Sequence, residues 1–131
     1  MDESEALALV ARLRPHGEEP LLPALAADVE WWVAGPPDIL PWAGMFRGRD
    51  AVERWFEDLN ATMDYQQFEA TEFIAQGGTV VVVHKARGVA RSTGRPFVSE
   101  IVRIWTVRGG EIVRVRSYYD THAYVAAVGA E

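Results

Sequence analysis

Near its C-terminal end the chain reads SYYDTHAYV, residues 117–125. Asp120 stands there among Tyr118, Tyr119 and His122, groups that can be half buried and still hydrogen-bond. A carboxylate in such a setting can take a proton from carbon next to a carbonyl, provided a donor stabilises the oxygen that gains charge. Asp120 is the candidate base and His84 its candidate partner. In TVVVVHKARGVA, residues 79–90, alternation puts Val80, Val82, His84, Ala86 and Gly88 on one face, and Val81, Val83, Lys85 and Arg87 on the other. Lysine and arginine favour water, so His84 is expected inside, with small Ala86 and Gly88 leaving room beside it.

The last strand is ambiguous. Simple alternation groups Ile112, Arg114, Arg116, Tyr118 and Asp120 against Val113, Val115, Ser117 and Tyr119. That puts Asp120 with two arginines, on what looks like a solvent face, and a β-bulge would reverse the assignment. An ion pair with Arg116 or Arg103 would lower the Asp120 pKa and make it a poor base. Trp42, in the loop AGPPDILPWAG (residues 34–44), is the candidate lid, and Asp38 is a second acid in that loop. The expected substrate-binding set is Tyr118, His122, Trp42, Ser99, Ile101, Ala86 and Asp38.

Other chemistries lack their residues. The chain has no cysteine, which removes thiol nucleophiles and Cys-type zinc sites. Its three histidines have no short metal-ligand spacing, and no phosphate-binding glycine loop, HExxH or GxSxG motif is present, so neither metal nor cofactor is expected. With 13 basic and 19 acidic residues the net charge is −6, unsuited to nucleic acid or anionic membranes. No apolar run approaches the ~18 residues of a membrane span. The acidic N-terminal stretch, broken by Arg12, does not read as a signal peptide, and a cytoplasmic protein is expected.

The 131 residues fit one domain, residues 1–131. Ala6, Leu7, Leu9, Val10 and Leu13 recur at helical spacing until Pro15 and Gly17, and a short helix is expected over residues 20–27. VEWWV (residues 29–33) reads as a strand and residues 34–44 as a loop. Asp50 and Glu53 form the D-x-x-E signature of a helix start, and Val52, Trp55, Phe56 and Leu59 give that helix a core-facing stripe. Four period-two runs joined by glycine-bearing turns then read as an antiparallel meander, with a helical turn over residues 122–128. The expected architecture is α+β: a cone-shaped single domain with three N-terminal helices packed on a curved, mostly antiparallel sheet that encloses a cavity.

The segments GMFRGRDAVERWF, STGRPFVSE and GGEIVRVRSYYDT, with the order of elements, resemble the SnoaL-like branch of the nuclear transport factor 2-like, or ketosteroid isomerase-like, superfamily. The resemblance runs from about residue 21 to residue 128. It implies the cone with a deep hydrophobic cavity, and dimers packed sheet to sheet. It also implies a base at Asp120, the position of the last-strand aspartate in the branch's polyketide cyclases. The departures are specific. Arg and the first Asp of limonene epoxide hydrolase fall at His84 and Ala86, and the steroid isomerase base falls near Val33, where no carboxylate stands. The expected function is proton transfer, of isomerase or cyclase type, on a small hydrophobic carbonyl compound. The alternatives are a non-catalytic ligand-binding or dimerisation domain, and a hydratase or hydrolase that activates water with a His84–Asp120 pair. Val81, Val83 and Ile104 on the outer face, too apolar to be fully wet, agree with a homodimer.

Overall fold

The structure is a computed structural model that describes residues 2–129. Helix α1 (Glu3–Arg12) is capped by Asp2, whose carboxylate accepts from the Glu5 amide at 2.8 Å, and buries Ala6, Leu9 and Val10. The chain then turns back tightly. The amides of His16 and Gly17 both donate to the Leu13 carbonyl at 2.8 Å. A Cβ on Gly17 would lie 2.4 Å from the Arg12 carbonyl oxygen, so only glycine closes this turn. The turn sends the His16 side chain under the sheet.

The expected helix over residues 20–27 is instead one 3₁₀ turn, Leu22–Ala24, followed by strand β1 (Leu25–Val33). Two prolines shorten the helix, and Leu25 pairs with Ile112 in the sheet. A short strand not expected from the sequence, β2 (Gly44–Arg47), pairs antiparallel with Glu30 to Val33 of β1. Helix α2 (Arg49–Thr62) starts one residue before Asp50, on Gly48 at φ 84°, without a side-chain cap. Asp50 therefore acts through its charge in the first turn.

Strands β3 (Met63–Gln76), β4 (Thr79–Ala90), β5 (Pro96–Arg108) and β6 (Glu111–Tyr119) form the expected meander. Sheet order is β2-β1-β6-β5-β4-β3, antiparallel except where β1 lies parallel to β6. Helix α3 (Thr121–Val128) follows the last strand. Two helices therefore precede the meander and the third closes the chain, which corrects the placement of all three at the N-terminus. Among the described residues no helix is long and apolar enough to cross a membrane.

The core lies between the helices and the sheet's inner face. Trp31 of β1, Trp55 of α2 and Trp105 of β5 are fully buried there. Phe56 was expected in this core, but it is half-buried at the rim, packed on Trp31 and Trp55 at 5.6 and 4.8 Å between ring centres. Phe56→Ala is accordingly expected to cost about 1–2 kcal/mol, below the ~3–5 kcal/mol of a core phenylalanine. Urea melts measure the difference.

Candidate functional site

Three groups of polar side chains reach the apolar interior. Strand β5 turns Phe97, Ser99, Ile101, Arg103, Trp105 and Val107 inward. Arg103 is 4% exposed and lies beside Val82 of β4 and Ser117 of β6. Its guanidinium carbon sits 5.9 Å from the Trp31 ring, 5.8 Å from Trp55 and 5.4 Å from Phe68. Among the described residues it has no hydrogen bond and no carboxylate partner, and its Nε is buried unpaired. Burial lowers its pKa, while the Tyr65 and Tyr124 hydroxyls act weakly the other way. A cation held among aromatic faces without a counterion is a costly arrangement.

Beside it, β4 holds His84, fully buried, as its alternation requires. His84 Nδ1 lies 3.2 Å from the Ile101 carbonyl, and its Nε2 lies 2.8 Å from Nε2 of His16. His16 Nδ1 lies 3.1 Å from the Val10 carbonyl. The two ring planes lie within 14° of each other with centres 5.0 Å apart, with Phe68 against His84 and with Phe73 and Trp105 against His16. Burial first, then Arg103 and His16, push the His84 pKa down to about 3, and burial also lowers that of His16.

Tyrosines form the third group. Tyr65 of β3 and Tyr124 of α3 share a hydrogen bond of 2.9 Å. Tyr119 accepts from Trp42 Nε1 at 3.0 Å, and burial pushes its pKa up to about 12. Burial raises Tyr65 and Tyr124 as well. These rings and Arg103 enclose a chamber of about 20 Å³, room for one water molecule, into which Ser117 also faces with its hydroxyl unpaired. Above it a cleft of about 830 Å³ opens between the turn after α1, helix α2 and β3. Leu59, Tyr65 and Arg103 line both spaces, so the guanidinium stands where the outer cleft meets the inner chamber. Glu53, Glu57 and Asn60 of α2 line the cleft from its exposed side.

The expected Asp120–His84 pair does not form. Asp120 is exposed, and its carboxylate caps α3, accepting from the Ala123 amide at 3.2 Å. The register shift in β6 falls early, opposite Thr106 and Val107, and it leaves Val115, Ser117 and Tyr119 facing inward. No later shift follows, so Asp120 takes the opposite side and the nearby helix start recruits it. It lines a separate depression with Lys85, Arg87 and Glu100, which alternate away from the core, and with the expected site residues Ala86 and Ser99. With the pair absent, water activation by His84 and Asp120 has no geometric basis. Asp120→Ala is expected to cost about 1 kcal/mol as a lost helix cap, and to leave ligand affinity unchanged. Denaturant melts and a binding titration check both parts.

The remaining expected residues divide. Trp42 is buried as a wall of the inner chamber, its carbonyl accepting from Trp55 Nε1 at 2.7 Å, so it is no lid. Ile101 lines that chamber, and Ser99 and Ala86 are buried on the inner face. Tyr118 is 40% exposed and packs on Trp32, outside the cavity. Asp38 and His122 are exposed. Gly88 leaves no space for a ligand, because the Asp64 carbonyl occupies the place of its missing Cβ at 2.0 Å. Two residues of the candidate site, Arg103 and His16, go beyond the expected set. Arg103 was readable, since the same alternation that turns Ile104 outward turns Arg103 inward. His16 gave no signal, lying in an irregular turn.

Comparison with known proteins gives a consistent picture. The profile of the SnoaL-like domain matches residues 6–115. A solved NTF2-like protein from Burkholderia xenovorans LB400 is 32% identical over 98% of this chain and 99% of its own, with a TM-score of 0.84. An NTF2-like protein from Burkholderia thailandensis E264 is 26% identical, over 97% of this chain and 98% of its own, with a TM-score of 0.80. TerC, co-crystallised with polyporic acid, shares the fold at 24% identity and a TM-score of 0.76, covering 95% of each chain. No curated protein matches.

Proposed function

The chain belongs to the SnoaL-like family, and from that premise we propose a small-molecule enzyme of isomerase or cyclase type that acts in the cleft above Arg103. The observation that carries this reading is Arg103 itself, a desolvated cation with no counterion among the described residues, at the foot of a mainly apolar cleft. A hydrophobic carbonyl compound would enter with its oxygen toward the guanidinium and the Tyr65 hydroxyl. Loss of an α-proton puts negative charge on that oxygen, and a fixed cation in a dry site stabilises it without reorganising. The carboxylates that line the same cleft are Glu53 and Glu57, one helical turn apart on α2, and they are the proposed proton acceptors in place of Asp120. The co-crystal of TerC with polyporic acid supports reading such a cone as a receptacle for a small organic molecule.

The test uses 2-tetralone, an aromatic ketone with acidified α-hydrogens, and follows their exchange in D₂O by NMR. Wild type is expected to accelerate exchange over buffer. Arg103→Met should lose ~10²-fold or more of that acceleration, and Glu53→Gln/Glu57→Gln should lose a similar factor. A second reading is favoured by one observation: among the described residues no carboxylate lines the inner chamber. If 2-tetralone binds and no exchange is catalysed, the protein is a ligand-binding domain.

A homodimer through the sheet's outer face is also proposed. Val98 is 75% exposed there and Tyr118 is exposed beside its strand, apolar surface that a second copy would cover. Light scattering should give about twice the 14.6 kDa chain mass.

A further inference from the structure

The His16–His84 pair is short of one proton. Three contacts run in a row: Val10 carbonyl to His16 Nδ1, His16 Nε2 to His84 Nε2, and His84 Nδ1 to Ile101 carbonyl. A carbonyl oxygen has no proton to give, so each outer contact needs an N–H on the histidine. The central contact, at 2.8 Å, needs an N–H on one ring. Three protons are required, and two neutral imidazoles hold two. The row is complete only when the pair carries one positive charge; otherwise two lone pairs face each other.

What opposes that charge is visible around the rings. Helix α1 offers only the Val10 carbonyl, β3 offers Phe68 and Phe73, and β5 offers the Ile101 carbonyl, Trp105 and Arg103. Arg103 is the charged group that acts on both rings, and Tyr65 of β3 and Tyr124 of α3 are the titratable groups that act on Arg103. Phe68 packs against both the guanidinium and His84, 5.4 Å from one and 4.9 Å from the other. Burial is the larger obstacle to the third proton and the charge of Arg103 adds to it, so an anion on Arg103 would remove the added repulsion and favour the protonated pair.

We propose that the ligand of this cleft is a hydrophobic organic anion, and that its binding on Arg103 is coupled to uptake of one proton from solvent by the His16–His84 pair. The inference rests on the reading of the cleft as a small-molecule site and narrows its ligand to compounds carrying a carboxylate, acidic enol or similar group. The apolar walls select the body of the molecule; Glu53 and Glu57 line the exposed side of the cleft and Arg14 lines it as well, so the charge is selected at the foot, where the buried guanidinium has no counterion among the described residues.

The probes are naphthalene-2-sulfonate, anionic at every working pH, and neutral naphthalene-2-sulfonamide. Calorimetry from pH 5 to 8 gives their dissociation constants. Repetition near pH 7 in Bis-Tris and in Tris, cationic buffers that differ in ionisation enthalpy, counts protons in the wild-type protein and needs no variant. Expected are binding of the sulfonate at least ~10-fold tighter than the sulfonamide, uptake approaching one proton, and affinity that tightens up to ~10-fold per unit fall in pH. His16→Phe should keep sulfonate binding and flatten its pH dependence, a change that loss of packing alone would not produce. Sulfonate binding with no proton uptake overturns the coupling. Sulfonamide binding as tight as sulfonate overturns the anionic class and leaves the cleft as a site. If neither probe binds, the proposed cleft fails with it.

Discussion

Arg103→Met is expected to raise the stability of the ligand-free protein by about 1–4 kcal/mol while removing its hold on anions. The side chain is 4% exposed, its Nε is unpaired, and no described carboxylate offsets its charge. Its compensation comes from three aromatic faces, at 5.4, 5.8 and 5.9 Å. These distances lie close to the ~6 Å limit of a useful cation–π contact, so each contributes at the weak end. Methionine is unbranched, similar in reach, and bends to fill an irregular space. It would restore apolar contact with Trp31, Trp55 and Phe68 without a buried charge. Urea melts of both proteins give the difference, with equal slopes confirming that the transition is comparable. A loss of more than about 1 kcal/mol would mean that Arg103 is satisfied in the folded protein, and the argument for an absent counterion would go with it. A gain in stability coupled to a loss of function is what a site held in a strained electrostatic state should give.

Much of this was legible in the chain. The four runs of period two gave β3 to β6, because one buried face imposes strict alternation. Alternation also placed His84 inward and Lys85 and Arg87 outward, as found. In β5 the same rule, carried two residues beyond Ile101, reaches Arg103. Asp120 stands instead at the position of the base in the resembling cyclases, although parity in β6 points it outward. The structure follows parity: Tyr119 faces in and Asp120 caps α3. Other features had no local signature. β2 has only four residues and exists because β1 offers it an edge. The contact of His16 with His84 spans 68 residues of sequence and depends on the turn that Gly17 closes, so no pattern within either segment announces it.

Trp55→Ala is expected to cost about 3–5 kcal/mol, a large share of the ~5–15 kcal/mol that holds a domain together. Trp55 is 2% exposed on the inward side of α2. Its ring lies 5.2 Å from Trp31 and 4.8 Å from Phe56, so truncation opens a cavity between the helix and β1. Its Nε1 donates to the Trp42 carbonyl at 2.7 Å, which ties α2 to the loop before β2. Removing the indole leaves that buried carbonyl without its donor, a further loss of about 1–3 kcal/mol if water cannot replace it. Trp55→Phe separates the two effects, since it keeps most of the ring and loses the donor. The alanine variant should lose more than the phenylalanine variant in denaturant melts, and both should lose more than Phe56→Ala at the rim. If Trp55→Phe matches wild type, the hydrogen bond to the loop contributes nothing and packing alone fixes α2. Trp55 also walls the inner chamber under Arg103, so the phenylalanine variant should weaken naphthalene-2-sulfonate binding as well. Unchanged binding would place the ligand wholly in the outer cleft, above the aromatic floor.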